Sequence, residues 1–288
     1  GGERAVIRDI AGRQNHSVKL ARKLQKKKHR RERGLLVAEG MDLLRAAVEA
    51  GADIRDVLVR RDLVGELPQA LLERADDASS AAVDVGVCDP ETLEYASSLG
   101  GGVDVIFTCP ERAWSLGDIC LGETYSVFLD GAGDPGNVGT VIRSTVAFGG
   151  GAVICSPGTA DPFSPKAMRA GMGAQFVLPV VTEVAPGDLW ARLRTLEEHG
   201  ETVPEVWVTD PHAGDDVRSA GGAEGVWPSR PRRRHAESVS SPAAGCAGRI
   251  AAQPRPGLLD EPLVDGRGEV RPAVVGVDPR YVRSFVVV

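Results

Sequence analysis

An asparagine and an arginine stand in a glycine-rich segment whose composition suits a ligand-binding loop. The segment is Asp130–Arg143 (DGAGDPGNVGTVIR), and it follows the apolar run Tyr125–Leu129 (YSVFL). Its glycines turn the chain, and Gly139 lets the backbone approach another group closely. Asn137 can donate and accept hydrogen bonds, while Arg143 can hold a phosphate through two parallel bonds or stabilise an oxyanion. These residues also permit a plainer interpretation, a common βα loop in which Arg143 pairs with an acid.

The same segment differs from the two common phosphate-binding loops. It is not GxGxxG, and no Lys-Ser or Lys-Thr pair follows its glycines. The dinucleotide-binding fingerprint and the P-loop are therefore both missing. A nucleotide-binding α/β enzyme is for that reason a weak alternative among the functions that such a loop allows.

Two further cations lie in Asp161–Pro179 (DPFSPKAMRAGMGAQFVLP). Ser164 followed by a proline is typical of a helix N-cap, so Lys166 and Arg169 fall on the early turns of a helix. Most residues from 170 to 174 are alanine or glycine, small enough for two backbones to pack tightly. The alternative is an ordinary capped helix whose two cations face solvent.

Residues 13–33 form the most basic part of the chain. Nine lysines or arginines and one acid lie between residues 19 and 33. Apolar residues recur at helical spacing over Val18–Leu24, which predicts an amphipathic helix. The positive charge suits contacts with nucleic-acid phosphates, although charge runs more often mark a solvated helix face or a disordered arm. The candidate phosphate-binding residues are Lys19, Arg22, Lys23, Lys26, Lys27, Lys28, Arg30 and Arg31.

Short apolar runs alternate with amphipathic ones in the first half of the chain. This alternation predicts a small α/β domain with a largely parallel sheet. Glu39 lies at a strand-to-helix junction, where a structural role is favoured over contact with a partner. The predicted elements are a strand before Gly40, helices at Met41–Ala50 and Pro90–Ser98, and strands at Asp56–Val59, Val83–Val87 and Val103–Phe107.

The alternation is repeated from residue 125 to about residue 210. It predicts a second α/β domain with a buried parallel sheet. Asn137 is expected in a loop, and Arg143 one turn into the helix that follows. The predicted elements are strands at Ser126–Leu129, Ala152–Cys155, Phe176–Val181 and Val206–Thr209, helices at Thr140–Phe148, Lys166–Met172 and Asp188–His199, and loops at Gly131–Gly139 and Ser156–Pro165.

Composition narrows the class of protein further. A chain of 288 residues is long enough for two domains, and its net charge of −6 argues against a wholly basic nucleic-acid binder. Five scattered cysteines without a CxxC pair predict reduced thiols in a cytoplasmic protein, with no disulfide framework and no metal site. No apolar run approaches the ~20 residues of a membrane helix, and residues 1–5 do not read as a signal peptide, so no membrane partner is expected.

Together the two motif segments resemble the SpoU/TrmH-type branch of the SPOUT RNA methyltransferases. The order and spacing of the matching blocks are specific, and the resemblance covers roughly residues 13–215. Ser17–Leu24 (SVKLARKL) and Leu35–Gly40 (LLVAEG) are similar to the start of the L30e-like RNA-binding domain that often begins such enzymes. The matching blocks of the second half are Asp134–Arg143, Ala147–Gly149, Ser164–Arg169, Gly171–Ala174 and Phe176–Val180.

The resemblance implies an L30e-like α/β domain followed by an α/β-knot domain of the trefoil type. It implies an enzyme that methylates the ribose 2′-hydroxyl of tRNA or rRNA with S-adenosyl-L-methionine (AdoMet), as a homodimer on structured RNA. Arg143 matches the family's catalytic arginine, which helps to deprotonate or polarise the 2′-hydroxyl, and Asn137 matches the asparagine that positions the arginine or the target nucleotide. Because a free guanidinium is an implausible base, the role needs an activated arginine or phosphate-assisted proton removal. Lys166, Arg169 and the basic segment are then expected to bind RNA.

The resemblance also divides the chain into segments. The predicted order is a basic N-terminal helix or arm (1–33), an L30e-like substrate-binding domain (34–112), a linker (113–124), the N-terminal part of the knot domain (125–218) and a divergent tail (219–288).

The tail departs from the family pattern. Two later family motifs form most of the AdoMet pocket, but only short echoes of them occur here, at Gly222–Gly225 and Ala236–Ser238. The cofactor-binding residues therefore stay unassigned, and a catalytically impaired RNA-binding remnant of the family is the alternative function. Residues 228–257 hold two residues from Leu, Ile, Val, Phe and Met, which favours either a disordered tail or an altered reading frame after about residue 219. Further on, Ala273–Val277 and Tyr281–Val288 could form strands.

Overall fold

The computed structural model describes residues 7–10, 12–76, 83–121, 123–201, 203–204, 206–208, 263–264, 270–271 and 285–287. The chain forms two compact units. The first comprises Gly1–Ala113, Asp134–Arg143 and Asp161–Val177, and the second comprises Trp114–Gly133, Ser144–Ala160 and Leu178–Val288. Both motif segments, Asp134–Arg143 and Asp161–Val177, therefore belong to the same unit as the basic N-terminal helices.

The first unit is built on a five-stranded sheet with helices around it. Its strands are β1 (Ile7–Asp9), β2 (Leu35–Glu39), β3 (Asp56–Arg60), β4 (Asp84–Cys88) and β5 (Val105–Pro110). Its helices are α1 (His16–Leu24), α2 (Lys27–Arg33), α3 (Met41–Glu49), α4 (Gln69–Asp76), α5 (Pro90–Ala96), the first nine residues of α6 (Pro135–Ala147), and α7 (Pro165–Gly171).

This sheet is mixed, with the order β1-β4-β3-β5-β2. The β1–β4 and β4–β3 pairs are parallel, whereas β5 is antiparallel to β3 and to β2. The prediction of a largely parallel sheet is therefore wrong for β5. The seven residues of α5 span only ~10 Å, and the loop after it returns the chain to the end of β3, where Val105 pairs with Val59. β5 consequently starts at the edge where β3 ends and runs the opposite way.

Helix α1 contributes its apolar stripe to the core of the first unit. Val18 and Leu24 are fully buried, and they cluster with Val37, Leu58 and Ile106 of the sheet. The predicted amphipathic helix is thereby confirmed, and its charged face is left outside the core.

Glu39 is held entirely by structural contacts at the junction after β2. Its buried carboxylate accepts hydrogen bonds from Gln25 Nε2 (2.9 Å), Ser97 Oγ (2.5 Å) and the Ser98 N–H (3.2 Å). The structural role favoured for Glu39 is confirmed. Gln25 also donates to the Ala96 carbonyl oxygen (2.9 Å), and these bonds hold the break between α1 and α2.

The second unit contains a second five-stranded sheet and a separate two-stranded one. Its elements are β6 (Ser126–Leu129), β7 (Ala152–Cys155), β8 (Val180–Val181), α8 (Pro186–Glu198), β9 (Trp207–Val208), β10 (Leu263–Val264), β11 (Val270–Arg271) and β12 (Phe285–Val287), with the last four residues of α6. The larger sheet has the order β8-β7-β6-β12-β9. Phe128 and Ile154 pack with Leu189 and Leu193 of α8 in its core.

The pairing of this sheet agrees only partly with the predicted parallel arrangement. β6, β7 and β8 are parallel, but β12 is antiparallel to both β6 and β9. Of the run Phe176–Val181, only Val180–Val181 is a strand, because Pro179 has no N–H to donate to a ladder. The strand prediction for Tyr281–Val288 is confirmed over Phe285–Val287, which forms β12. The predicted strand Ala273–Val277, both motif echoes and residues 228–257 lie outside the described residues.

Candidate active site

Helix α6 begins at Pro135 because Asp134 caps it. Asp134 Oδ1 accepts a hydrogen bond from the Asn137 N–H (2.9 Å), and the Asp134 carbonyl oxygen accepts one from the Val138 N–H (3.1 Å). A proline follows in the first helical position, where its missing N–H costs nothing. Asn137 therefore lies in the first turn of a helix, and its predicted place in a loop is wrong.

Asn137 and Arg143 face solvent from one row of α6. The row is Asn137, Thr140 and Arg143, spaced three residues apart, and all three are exposed, whereas Val138 and Ile142 are buried. Residues three apart are neighbours on a helix surface. Arg143 is the ninth residue of α6 rather than one turn into it, so its Cα lies ~9 Å along the axis from that of Asn137. The helix thus presents an amide and a guanidinium on its exposed side, with Thr140 between them.

Gly139 lies on the buried side of α6, where the helix crosses α7. A Cβ at Gly139 would lie 2.9 Å from both the Ala170 Cβ and the Gly171 nitrogen, and it would overlap the Ala167 carbonyl oxygen. Only glycine lets the two backbones come this close. The tight packing predicted from the small residues is confirmed.

Helix α7 starts as the sequence predicts. Ser164 Oγ accepts a hydrogen bond from the Ala167 N–H (3.3 Å), and proline occupies the first helical position. Lys166 and Arg169 are exposed on the first turns, and Lys166 Nζ is 2.9 Å from Asp134 Oδ2. The hydrogen bond from Lys166 and a second one from the Asn137 N–H hold the pKa of Asp134 below its usual value. The two motifs are thus joined by an ion pair.

Gln175 is a structural residue that the sequence reasoning missed. It is buried, and its Nε2 donates to the carbonyl oxygens of Pro162 and Ala167, both at 3.1 Å. It fastens the loop before α7 to the helix itself. The sequence feature that could have identified Gln175 is that it is the single amide side chain in the run of small and apolar residues after Gly171.

Most of the predicted phosphate-binding cations face solvent. These are Lys19, Lys23, Lys26, Lys27, Lys28 and Arg31. Arg22 is also exposed, but its Nη1 donates to the carbonyl oxygens of Tyr95 (2.8 Å) and Ser97 (3.1 Å), and its guanidinium lies 5.1 Å from the centre of the Tyr95 ring. Arg22 thus also attaches α1 to the end of α5.

Arg30 differs from its neighbours, because its side chain is buried. It donates to the carbonyl oxygens of Leu24 and Gln25 and pairs with Asp161. The prediction that Arg30 binds phosphate is therefore wrong. A buried guanidinium needs hydrogen-bond acceptors, and those of Arg30 are all groups of the protein itself. Beside it, burial and the Asp161 charge raise the pKa of Glu111, opposed by the nearby cations.

A smaller polar group lies in the second unit, at the carboxyl ends of β6 and β7. Asp130 Oδ1 accepts a hydrogen bond from Ser156 Oγ (2.7 Å), and the Gly131 N–H donates to Ser156 Oγ (2.9 Å) and Thr159 Oγ1 (3.0 Å). These groups satisfy one another. They do not identify a binding site for AdoMet within the described residues.

The described cysteines are free thiols. Burial raises the pKa of Cys88 to about 11 and that of Cys109 to about 12, so both stay protonated near neutral pH. In the part of the chain that the structure describes, no group of three or more histidine, cysteine or acidic side chains is arranged to hold a metal ion. Among the same residues, no helix is both long enough and apolar enough to span a membrane.

Each half of the chain matches a known protein-family model. Residues 124–220 match the model of the SpoU rRNA methylase family, and residues 15–99 match that of the MRM3-like substrate-binding domain. The 23S rRNA (guanosine(2553)-2′-O)-methyltransferase RlmP of Bacillus subtilis is 29% identical over 186 residues, which cover 62% of this chain and 67% of that protein. The mitochondrial rRNA methyltransferase 3 of Xenopus laevis is 31% identical over 164 residues, covering 55% of this chain but only 37% of that protein.

Solved structures show the same likeness. The AdoMet-bound rRNA methyltransferase of Sinorhizobium meliloti is 28% identical, with a TM-score of 0.54 over 65% of this chain and 69% of that one. The SpoU methyltransferase AviRb of Streptomyces viridochromogenes, solved with AdoMet, has a TM-score of 0.58 at 24% identity over 71% of this chain and 76% of that one, a likeness of fold alone.

Proposed function

We propose that this chain, in which residues 124–220 match the model of the SpoU rRNA methylase family, transfers a methyl group from AdoMet to a ribose 2′-hydroxyl of ribosomal RNA. The observation that carries the proposal is the exposed row of α6, with Asn137 and Arg143 on a helix that is capped by Asp134 and packed on α7 through Gly139. Relatives that act on rRNA support rRNA over tRNA as the substrate.

In this reaction the 2′-oxygen forms a bond to carbon, and the hydroxyl loses its proton. AdoMet supplies a methyl group bound to a positively charged sulfur, which leaves as a neutral thioether. Arg143 places a positive charge where negative charge develops on the 2′-oxygen, which lowers the barrier. A guanidinium keeps its own proton, so the proton leaves to an RNA phosphate or to water. Asn137 holds the nucleotide or the arginine side chain by hydrogen bonds, so the chemistry depends mainly on alignment.

The proposed RNA surface consists of exposed cations on α1, α2, the link between them and α7: Lys19, Arg22, Lys23, Lys26, Lys27, Lys28, Arg31, Lys166 and Arg169. Phosphate contacts supply most of the affinity of such surfaces without reading sequence. Lys166 keeps its bond to Asp134 in this proposal and offers its remaining N–H donors to a phosphate, because its side chain is well exposed.

Several finer features belong to the same proposal. We propose a homodimer in the cytoplasm, an L30e-like domain at 34–112, and a trefoil knot in the domain that starts at residue 125. Residues that contact AdoMet stay unassigned, because the described polar groups do not identify a pocket for it and the motif echoes lie outside the described residues.

A second candidate is a catalytically impaired RNA-binding remnant of the family. The sequence favours it through one observation, the lack of proper forms of the two late AdoMet motifs in the tail.

One experiment separates the two candidates. The purified chain is incubated with methyl-labelled AdoMet and bacterial 23S rRNA, and 2′-O-methyl nucleotides are mapped by mass spectrometry. Calorimetry measures AdoMet binding in parallel. Methyl transfer supports the enzyme; RNA binding without AdoMet binding at millimolar concentration refutes it and supports the remnant.

A further inference from the structure

Arg30 connects the end of α1 to a distant part of the chain. Its Nη1 donates to the carbonyl oxygens of Leu24 (2.7 Å) and Gln25 (3.0 Å), at the C-terminal end of α1, where helix carbonyls lack intrahelical partners. Its Nη2 donates to the carboxylate of Asp161. The Arg30 side chain is 3% exposed and that of Asp161 is 16% exposed. Charge-assisted hydrogen bonds between such buried side chains impose a defined geometry on both partners.

Asp161 in turn begins the segment that leads into α7. Its other carboxylate oxygen, Oδ1, accepts a hydrogen bond from the Phe163 N–H (3.0 Å), and its carbonyl oxygen accepts one from the Ser164 N–H (3.1 Å). Ser164 is the residue that caps α7. The orientation of Asp161 therefore sets where α7 starts.

Helix α7 is in direct contact with α6. The two helices touch backbone to backbone at Gly139, and Lys166 pairs with the cap residue Asp134. A path of direct contacts consequently runs from the basic helices through Arg30, Asp161 and α7 to the row that carries Asn137 and Arg143. All of these residues belong to the first unit.

We propose that Arg30 is a positioning residue, which holds the phosphate-binding cations of α1 and α2 at a set distance from Arg143. RNA bound by its phosphates on the basic helices then presents its target ribose to α6 in one register. The inference rests on the proposed function and adds to it the residue that couples RNA binding to the site. A displacement of the reacting groups by ~1 Å is enough to slow an alignment-dependent reaction severely. The Arg30–Asp161 pair would prevent such a displacement of the ribose relative to Arg143.

Hydrogen exchange read by mass spectrometry tests the coupling without requiring catalysis. With bacterial 23S rRNA as the probe, the wild-type protein should gain protection in α2 and also in α6 and α7. Asp161→Asn keeps an acceptor for the Phe163 N–H but removes the charge that faces Arg30, so it should gain protection in α2 alone. Arg33→Met is the matched control, because it removes an exposed charge from α2 and leaves the pair intact; it should gain protection in all three helices. RNA-induced protection of α6 and α7 that is the same in Asp161→Asn and wild type overturns the proposal.

Kinetics of methyl transfer give the second readout. At saturating RNA, Arg30→Met and Asp161→Asn should each lower kcat at least about tenfold, while KM for RNA stays within about threefold of the value for Arg33→Met. The double variant should be no slower than the worse single variant, because both changes break one pair. Arg30→Lys keeps a positive charge and should therefore have a higher kcat than Arg30→Met. If thermal unfolding shows that Arg30→Met does not fold, Arg30→Lys is used in its place. A kcat in Asp161→Asn equal to that of Arg33→Met contradicts the role. If the wild type transfers no methyl group, the proposed function is refuted. The hydrogen-exchange experiment then tests the positioning role of Arg30 by itself.

Discussion

Lys166 Nζ lies 2.9 Å from Asp134 Oδ2, and this ion pair joins two motifs that are 32 residues apart in the chain. The other oxygen of the same carboxylate caps α6 through the Asn137 N–H. One aspartate therefore both starts the helix that carries the site and binds the neighbouring helix to it.

The Asp134 carboxylate should make the stability of the protein depend on acid. Its pKa is lowered in the folded state, first by Lys166 and then by the Asn137 N–H. The ionised carboxylate thus contributes to the free energy of unfolding at any pH above its pKa in the unfolded chain, about 3.9. This contribution is lost as the pH falls through the lower pKa of the folded state. Asp134→Asn should lower Tm slightly near pH 7 and not at all in strong acid, as followed by circular dichroism at several pH values. The same difference in Tm at every pH would contradict this assignment.

Gly139→Ala should destabilise the protein although alanine is the better helix former. The added methyl group would collide with the backbone of α7, and forced overpacking costs roughly 1–3 kcal/mol. Chemical denaturation measures the loss. Gly187→Ala on α8 is the control, because nothing lies within 4 Å of its added Cβ, and it should be neutral or stabilising. Equal behaviour of the two variants would show that α6 and α7 do not pack as described.

Arg143→Ala should abolish most methyl transfer and leave the fold intact. Arg143 is exposed, so its removal costs little stability, whereas the loss of one charge at a developing oxyanion typically costs about 10²–10³ in kcat. Labelled AdoMet and 23S rRNA provide the assay, with Tm as the check on folding. Arg194→Ala removes an exposed arginine from α8 and should keep wild-type activity. Full activity in Arg143→Ala would falsify the catalytic role.

Asn137→Ala should slow methyl transfer about tenfold or more by loosening the alignment of the ribose. Its Tm should stay close to that of the wild type, because the capping bond to Asp134 uses the backbone N–H and not the side chain. The same assay and unfolding measurement apply. A large fall in Tm together with activity would point instead to a structural role for the amide.

RNA affinity should fall steeply as salt is added. Each phosphate contact contributes about 0.7–0.9 to the slope of log affinity against log salt. Lys23 and Lys26 are exposed, so the variant Lys23→Ala/Lys26→Ala should reduce that slope by about 1.4–1.8 in filter-binding titrations with 23S rRNA. The slope for Arg194→Ala should not change. A flat salt response of the wild type rules out the proposed phosphate contacts.

Local patterns predicted the helices well, because capping and periodicity act over a few residues. Ser164 before a proline located the start of α7, and the stripe Val18–Leu24 located the buried face of α1. The start of α6 was misplaced by five residues, since the capping role of Asp134 was not recognised and the glycines after it read as a loop. Sheet direction was predicted less well: β5 and β12 run antiparallel to their neighbours, and strand direction depends on where a connection returns the chain.

The sequence by itself indicated the resemblance to SpoU-type methyltransferases, predicted Asn137 and Arg143 as site residues and located the basic helices, because spacing and residue type can be read along the chain. The tertiary structure alone decided which of those charges are available. Arg30 and Lys28 look equivalent in the sequence, yet Lys28 faces solvent while Arg30 is enclosed between the end of α1 and Asp161. Asp161 lies 131 residues away from Arg30, and a partner that distant is set by folding, which no local pattern records.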